Sequence, residues 1–71
     1  MNISRNAIGL IELSSISVGY SVTDTMLKTA DVELLLSRST CPGKFICLVW
    51  GDVAAVRASV EAGIQMGQGY L

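Results

Sequence analysis

The stretch VELLLSRSTCPGKFICLVW, residues 32–50, decides the fold of this chain because it is typical of a β-hairpin. Two apolar runs flank a turn that contains the only proline of the sequence. Pro42 fixes its own φ and Gly43 permits a positive φ, which together favour a type II turn. The pattern predicts two antiparallel strands with Cys41 at the tip of their turn.

On both sides of the hairpin, apolar residues recur either at the spacing of an extended strand or at the spacing of a helix. The run AIGLIEL, residues 7–13, is almost continuously apolar and predicts a central strand. After the hairpin, Asp52 is placed to cap a second helix. The predicted elements are strand 7–13, helix 17–30, strand 32–39, strand 44–50 and helix 53–68. The predicted apolar faces are Val18, Val22, Met26, Leu27 and Ala30 on the first helix, Val32, Leu34 and Leu36 on the second strand, and Val53, Val56, Val60 and Ile64 on the second helix.

The order β-α-β-β-α predicts an α+β fold with a ferredoxin-like core that lacks its final strand. One further strand would complete the βαββαβ unit and cover the free edge of the first strand. Either GYL, residues 69–71, begins that strand or the sequence is part of a longer protein, and we expect the second. Residues 1–71 are accordingly expected to form a single, truncated domain.

Composition indicates an assembled protein and argues against several other classes. The chain has 71 residues, of which 51% are apolar and 15% charged, so a single copy is expected to leave apolar surface exposed. We therefore expect an obligate oligomer. A net charge of −1 with scattered cations does not favour nucleic-acid binding. The longest apolar run, 45–50, is far short of the roughly 20 residues that span a membrane. No signal-peptide pattern is present, so we expect a cytoplasmic protein.

The reactive groups do not favour an enzyme. The sequence contains no histidine, and its carboxylates are dispersed. Cys47 lies within an apolar strand and is interpreted as a buried structural thiol. Cys41 is interpreted as an ordinary exposed thiol unless copies of the turn meet on a symmetry axis. Several thiolates would then converge, which is the ligand set that iron–sulfur clusters require.

Four segments resemble the bacterial microcompartment shell-protein domain. AIGLIEL is similar to the first strand of that family, DTMLKTADVELL (24–35) to its helix-to-strand signature, and VWGDVAAVRASVEAG (49–63) to the start of its second helix. STCPGKF (39–45) is similar to the pore loop of the family's tandem-domain iron–sulfur branch, found in propanediol-utilising compartments. In that branch a Cys-Pro-Gly-Lys-Phe loop carries a cluster ligand at the pore.

The resemblance implies a structural shell tile, built as a hexamer or as a trimer of tandem domains, that joins neighbouring shell proteins. Cys41 would ligate an iron–sulfur cluster of the 4Fe-4S type shared between subunits, which would carry electrons or cluster components across the shell. A redox enzyme in the lumen is an implied partner. Lys28 and Asp31 would lie at the edge between tiles. The residues implied to line the pore are Thr40, Cys41, Pro42, Gly43 and Lys44.

Two alternatives stay open at this point. The turn could line a simple metabolite pore with a free thiol at Cys41. The chain could instead be a small regulatory ligand-binding domain of ferredoxin-like fold, although effector binding assigns no role to a Cys-Pro-Gly tip.

Overall fold

The computed structural model describes residues 6–40 and 43–71 and confirms the predicted order of elements. The element ends differ from the predicted ones by at most two residues. The elements are β1 Ala7–Leu13, α1 Ile16–Thr29, β2 Glu33–Thr40, β3 Lys44–Gly51 and α2 Val53–Met66.

Both helices begin at a side-chain cap. The Ser15 hydroxyl accepts a hydrogen bond from the backbone N–H of Val18 at 3.3 Å. Asp52 Oδ1 accepts from the N–H of Ala55 at 2.8 Å, as its position before α2 predicted. These oxygens satisfy N–H groups that have no partner inside the helix, which fixes where each helix starts.

The sheet has the order β1-β3-β2, and both pairings are antiparallel. The predicted central position of the first strand is therefore wrong within the described residues, where β1 pairs with β3 alone. The connection through α1 places β2 two positions away from β1, and the hairpin partner β3 fills the gap. The central strand is thus the apolar return strand of the hairpin.

The C-terminal residues lie against the end of β1 without continuing the sheet. The carbonyl of Tyr70 accepts two hydrogen bonds from Ser14, one from the backbone N–H at 2.7 Å and one from the side-chain hydroxyl at 3.1 Å. Gly69 permits this approach with a φ of 95°. Residues 70–71 have no strand assignment, so this short segment does not itself supply the fourth strand.

Both helices pack on one face of the sheet, which we call the inner face. Glycines allow the close approach, since a Cβ on Gly9 would come within 2.6 Å of Val60 and one on Gly19 within 2.3 Å of Phe45. The core cluster consists of Ile11, Leu13, Val22, Met26, Phe45, Cys47 and Val49.

The predicted apolar stripe of α2 is wrong at its two ends. Val53 and Ile64 are 54% and 42% exposed, whereas Val56, Ser59 and Gly63 are buried. The small residues decide the helix orientation because they let α1 approach closely. Ser59 Oγ donates to the carbonyl of Met26 at 3.0 Å across the two helices.

The predicted alternation along β2 is also wrong, because the strand contains a bulge. Leu34 pairs with Val49 and Leu36 pairs with Leu48, so Leu35 is the extra residue between two consecutive positions of β3. Leu34 and Leu36 therefore belong to opposite faces of the sheet. Leu35 is 50% exposed.

Candidate functional site

The hairpin turn is exposed to solvent at Gly43 and Lys44 and half-buried at Thr40. Thr40 ends β2 and pairs with Lys44, the first residue of β3. Gly43 has the positive φ that the turn prediction required, at 76°, and a Cβ placed there would meet nothing within 4 Å. Cys41 and Pro42 lie outside the described residues, so their predicted roles stay predictions. The open space around Gly43 leaves room for another molecule at this end.

Lys44 places a positive charge beside the turn. Its Nζ lies 3.7 Å from Glu12 Oε1 on β1, and the two side chains are about half exposed. An exposed pair at this distance contributes little to folding and is easily rearranged. The Lys44 ammonium therefore stays available to an anionic group at the turn.

Cys47 is fully buried on the inner face of β3, which confirms its interpretation as a structural thiol. Burial raises the pKa of the thiol, and this effect outweighs a hydrogen bond with Thr23 that lowers it. Thr23 also contacts Ser37 Oγ at 3.2 Å and so joins α1 to β2. A protonated, enclosed thiol is a poor metal ligand, since the thiolate is the ligating form.

The donor chemistry of one chain fits an iron–sulfur cluster only in part. Among residues 6–40 and 43–71, no three side chains of His, Cys, Asp or Glu form a group that could hold a metal ion. By sequence, the turn contains one cysteine per chain. A cluster with three or four thiolate ligands therefore fits this sequence only where several chains bring their turns together.

The two predicted edge residues lie at the other end of the sheet from the turn. Lys28 is in the last turn of α1, and Asp31 follows that helix just before β2 begins. Lys28 Nζ forms an ion pair with Asp24 Oδ2 at 2.9 Å, and both side chains are largely exposed. β2 has eight residues and separates Asp31 from the turn by about 26 Å. The predicted pore and edge residues therefore belong to two separate sites.

The near-continuous apolar run of β1 predicts a strand shielded on both faces, whereas the described residues leave its second face uncovered. Ile8 and Leu10 are 64% and 60% exposed on β1, beside half-buried apolar residues of β3. The available signal was the continuous apolar character of both strands, since a strand covered on one face only alternates with polar residues. None of the described helices is long and apolar enough to cross a membrane.

The profile of the BMC domain family matches residues 7–71, which is almost the whole chain. This chain belongs to the BMC domain family. The bacterial microcompartment shell protein PduT of Citrobacter freundii is 47% identical over 60 residues, which cover 84% of this chain and 33% of that protein. The predicted family is thereby confirmed, and the relative it matches is named a bacterial microcompartment shell protein.

Solved structures agree with the BMC fold. A microcompartments protein from Desulfitobacterium hafniense DCB superposes with a TM-score of 0.87 at 51% identity, covering 90% of this chain and 36% of that one. The trimeric shell protein PduB superposes with a TM-score of 0.76 at 35% identity, covering 84% of this chain and 29% of that one. This BMC chain thus spans about a third of the length of each of these three relatives.

Proposed function

We propose that this BMC chain is a structural unit of a microcompartment shell tile whose hairpin turns meet at a central pore. The observation that carries the proposal is the open turn between β2 and β3, which presents Gly43 and Lys44 to solvent and leaves open space around Gly43. Such a turn is free to approach copies of itself around an axis. Thr40, Cys41, Pro42, Gly43 and Lys44 are its proposed pore-lining residues.

We further propose that Cys41 ligates an iron–sulfur cluster shared between the turns. When bound, a cluster supplies one-electron transfer between the two sides of the shell. Each chain contributes one thiolate, and Lys44 offsets part of the negative charge that converging thiolates bring together. The trimeric state described for PduB favours an axis on which three such turns meet.

The experiment that tests the cluster is anaerobic purification with measurement of iron, acid-labile sulfide and absorbance near 400 nm. We expect the wild-type chain to carry iron and sulfide and Cys41→Ser to lose both, because a hydroxyl is a harder and much less acidic ligand than a thiol. The matched control is Cys47→Ser, which should retain iron. That control should lower the free energy of unfolding by about 1–3 kcal/mol, since it places a hydroxyl in the apolar core.

A second candidate is a metabolite pore with a free thiol at Cys41, which the same exposed turn could line without a cluster. The same measurement separates the two candidates. Iron that follows Cys47, or that neither substitution changes, would contradict the cluster and leave the simple pore. Tile formation is assayed separately by electron microscopy and should survive Cys41→Ser in either case.

Lys28 and Asp31 are proposed to lie at the boundary between tiles. This proposal is supported by the position of both residues at the end of the sheet away from the turn. The outer rim of a tile would lie at that end if the turns meet at its centre. Lys28 is 75% exposed at its side chain, so its long stem can lie along a neighbouring surface.

A further inference from the structure

The outer face of the sheet, opposite the helices, is apolar in its middle and charged toward its two ends. Leu10, Leu48 and Leu36 pair across the three strands and form the middle row. Because registered partners on adjacent strands share a face, the same pairing also assigns the charged residues to rows. The charged members of the outer face are Glu12, Glu33, Arg38 and Lys44.

The cations of the outer face lie at its hairpin end. Lys44 begins the central strand β3 and pairs with Thr40. Glu12 on β1 and Arg38 on β2 both pair with Ile46, two residues further along β3. Each is therefore a diagonal neighbour of Lys44, at about 7–8 Å, and the two lie on opposite sides of it. Glu12, Arg38 and Lys44 are all exposed.

The Glu12 carboxylate balances only part of the positive charge. Glu12 Oε1 lies 3.7 Å from Lys44 Nζ, and one carboxylate cannot neutralise both Lys44 and Arg38. The hairpin end of the outer face therefore carries an excess of positive charge, although the chain as a whole has a net charge of −1. The opposite end of the same face is negative, because Glu33 is the first residue of β2.

The meeting of several turns would add these charges together. If the turns meet at a pore as proposed, the positive ends converge on the axis and the negative ends point away from it. Charges of one sign that line an opening raise the local concentration of solutes of the opposite sign. The Glu12 carboxylate reduces the repulsion between the converging cations without removing their excess.

We propose that the hairpin end of the outer face attracts small carboxylates to the pore, with Lys44 and Arg38 as the attracting charges and Glu12 as the counter-charge that limits them. Neutral molecules of the same size gain nothing from this field, so the charge selects a class of solute. The inference rests on the proposed pore. It does not depend on the cluster, because neither cation is a proposed ligand.

Two reagents that alkylate thiols at the same kind of carbon test this charge. Iodoacetate carries a carboxylate and iodoacetamide a neutral amide, and each loses iodide to the thiolate. The ratio of their rates at one thiol therefore reports the local potential and does not depend on the fraction of thiolate. Cys41 is the reporter, since it is three residues before Lys44 in the sequence, and Cys47 is fully buried.

The measurement uses the assembled full chain after a chelator has removed any iron, and the ratio is divided by that of a neutral cysteine peptide. We expect a normalised ratio of at least about 2 at low salt, since a unit charge about 10 Å away changes the rate by roughly twofold in water. Lys44→Gln and Arg38→Gln should each lower the ratio by at least about twofold, whereas Glu12→Gln should raise it by a similar factor. In 1 M salt, where the Debye length is about 3 Å, all of these ratios should approach that of the peptide.

Arg57→Gln and Glu61→Gln are matched controls. They remove one charge of each sign from exposed positions on α2, which packs on the inner face of the sheet. Both should leave the ratio unchanged. If Cys41 reacts too slowly to measure, Ser39→Cys in a Cys41→Ser chain supplies a thiol at an exposed position next to Arg38.

A wild-type ratio equal to that of the peptide would overturn the proposal. A ratio that falls in Glu12→Gln, or that falls as much in Arg57→Gln as in Arg38→Gln, would overturn it as well. Electron micrographs test the tile separately. Tiles whose ratio does not respond to Lys44→Gln contradict the preference for carboxylates alone, whereas chains that form no tiles contradict the proposed pore, and their ratio is still measured on the unassembled chain.

Discussion

Replacing Gly19 by alanine should destabilise the fold, although alanine is the better helix former. A Cβ at this position would lie 2.3 Å from Cγ, 2.4 Å from Cδ1 and 2.8 Å from Cβ of Phe45. Phe45 is fully buried, and its contacting atoms include the root of the side chain, which has little freedom to move. The clash therefore requires α1 to lift away from β3.

The magnitude follows from two opposing effects. Alanine in place of glycine in a helix interior favours folding by about 1 kcal/mol. Overpacking a tight core costs about 1–3 kcal/mol, and three contacts below 3.0 Å place Gly19→Ala at the upper end of that range. The net loss should be about 2 kcal/mol, or roughly 8–16 °C in melting temperature for a domain of this size.

Gly63→Ala is the matched control because its Cβ would also meet core atoms at short distances. Here the neighbours are Ile11 Cδ1 at 2.5 Å, Met26 Sδ at 2.8 Å and Met26 Cγ at 2.9 Å, which belong to side chains with rotatable ends. Their adjustment should cost about 1 kcal/mol, so the helix-propensity gain cancels most of it.

Urea unfolding at one fixed protein concentration, followed by the fluorescence of Trp50, measures the difference between the two variants. Gly19→Ala should unfold at a lower midpoint than wild type, and Gly63→Ala close to it. A Gly19→Ala chain as stable as wild type, or less affected than Gly63→Ala, would refute the packing explanation of this glycine.

Three further outcomes are expected. Ser59→Ala removes the hydrogen bond to the Met26 carbonyl and should lower the free energy of unfolding by about 1 kcal/mol in urea titrations; an unchanged midpoint would contradict its role between the helices. Lys28→Ala breaks an exposed pair with Asp24, so it should change that free energy by less than about 0.5 kcal/mol while reducing the joining of tiles in electron micrographs; loss of the tiles themselves would contradict an edge position. Burial raises the pKa of Cys47, so the unfolded thiol ionises first, and stability should fall as pH rises above the ordinary thiol pKa of about 8.5; the fall should be smaller in Cys47→Ala, and equal pH profiles would contradict this linkage.

Local features of the candidate site were predictable because neighbours in sequence produce them. Gly43 has the positive φ that its place after proline predicted, and Asp52 caps α2 through a residue three positions away. The thiol of Cys47 is buried because it lies in an apolar strand. The role of Cys41 was reached through resemblance to a family, since one thiol in one chain specifies no partner.

Contacts between distant elements were not predictable from periodicity. Val53 and Ile64 continue the apolar spacing of α2 and are nevertheless exposed, because Ser59 and Gly63 turn the helix toward α1. Small residues carry no hydrophobic signal in a sequence, so their role in close helix packing is visible only when a second helix lies against them. The bulge at Leu35 likewise depends on how two strands register.

The sequence by itself determined the elements, the caps and the hairpin turn, because each depends on backbone preferences within a few residues. It also determined that apolar surface exceeds what 71 residues are expected to bury. Only the tertiary structure decided where that excess lies, on the outer face of the sheet and on the ridge of Ile16, Tyr20 and Leu27. The reason is physical: composition fixes how much apolar area exists, whereas the packing of two helices on one face of the sheet fixes which part stays in contact with water.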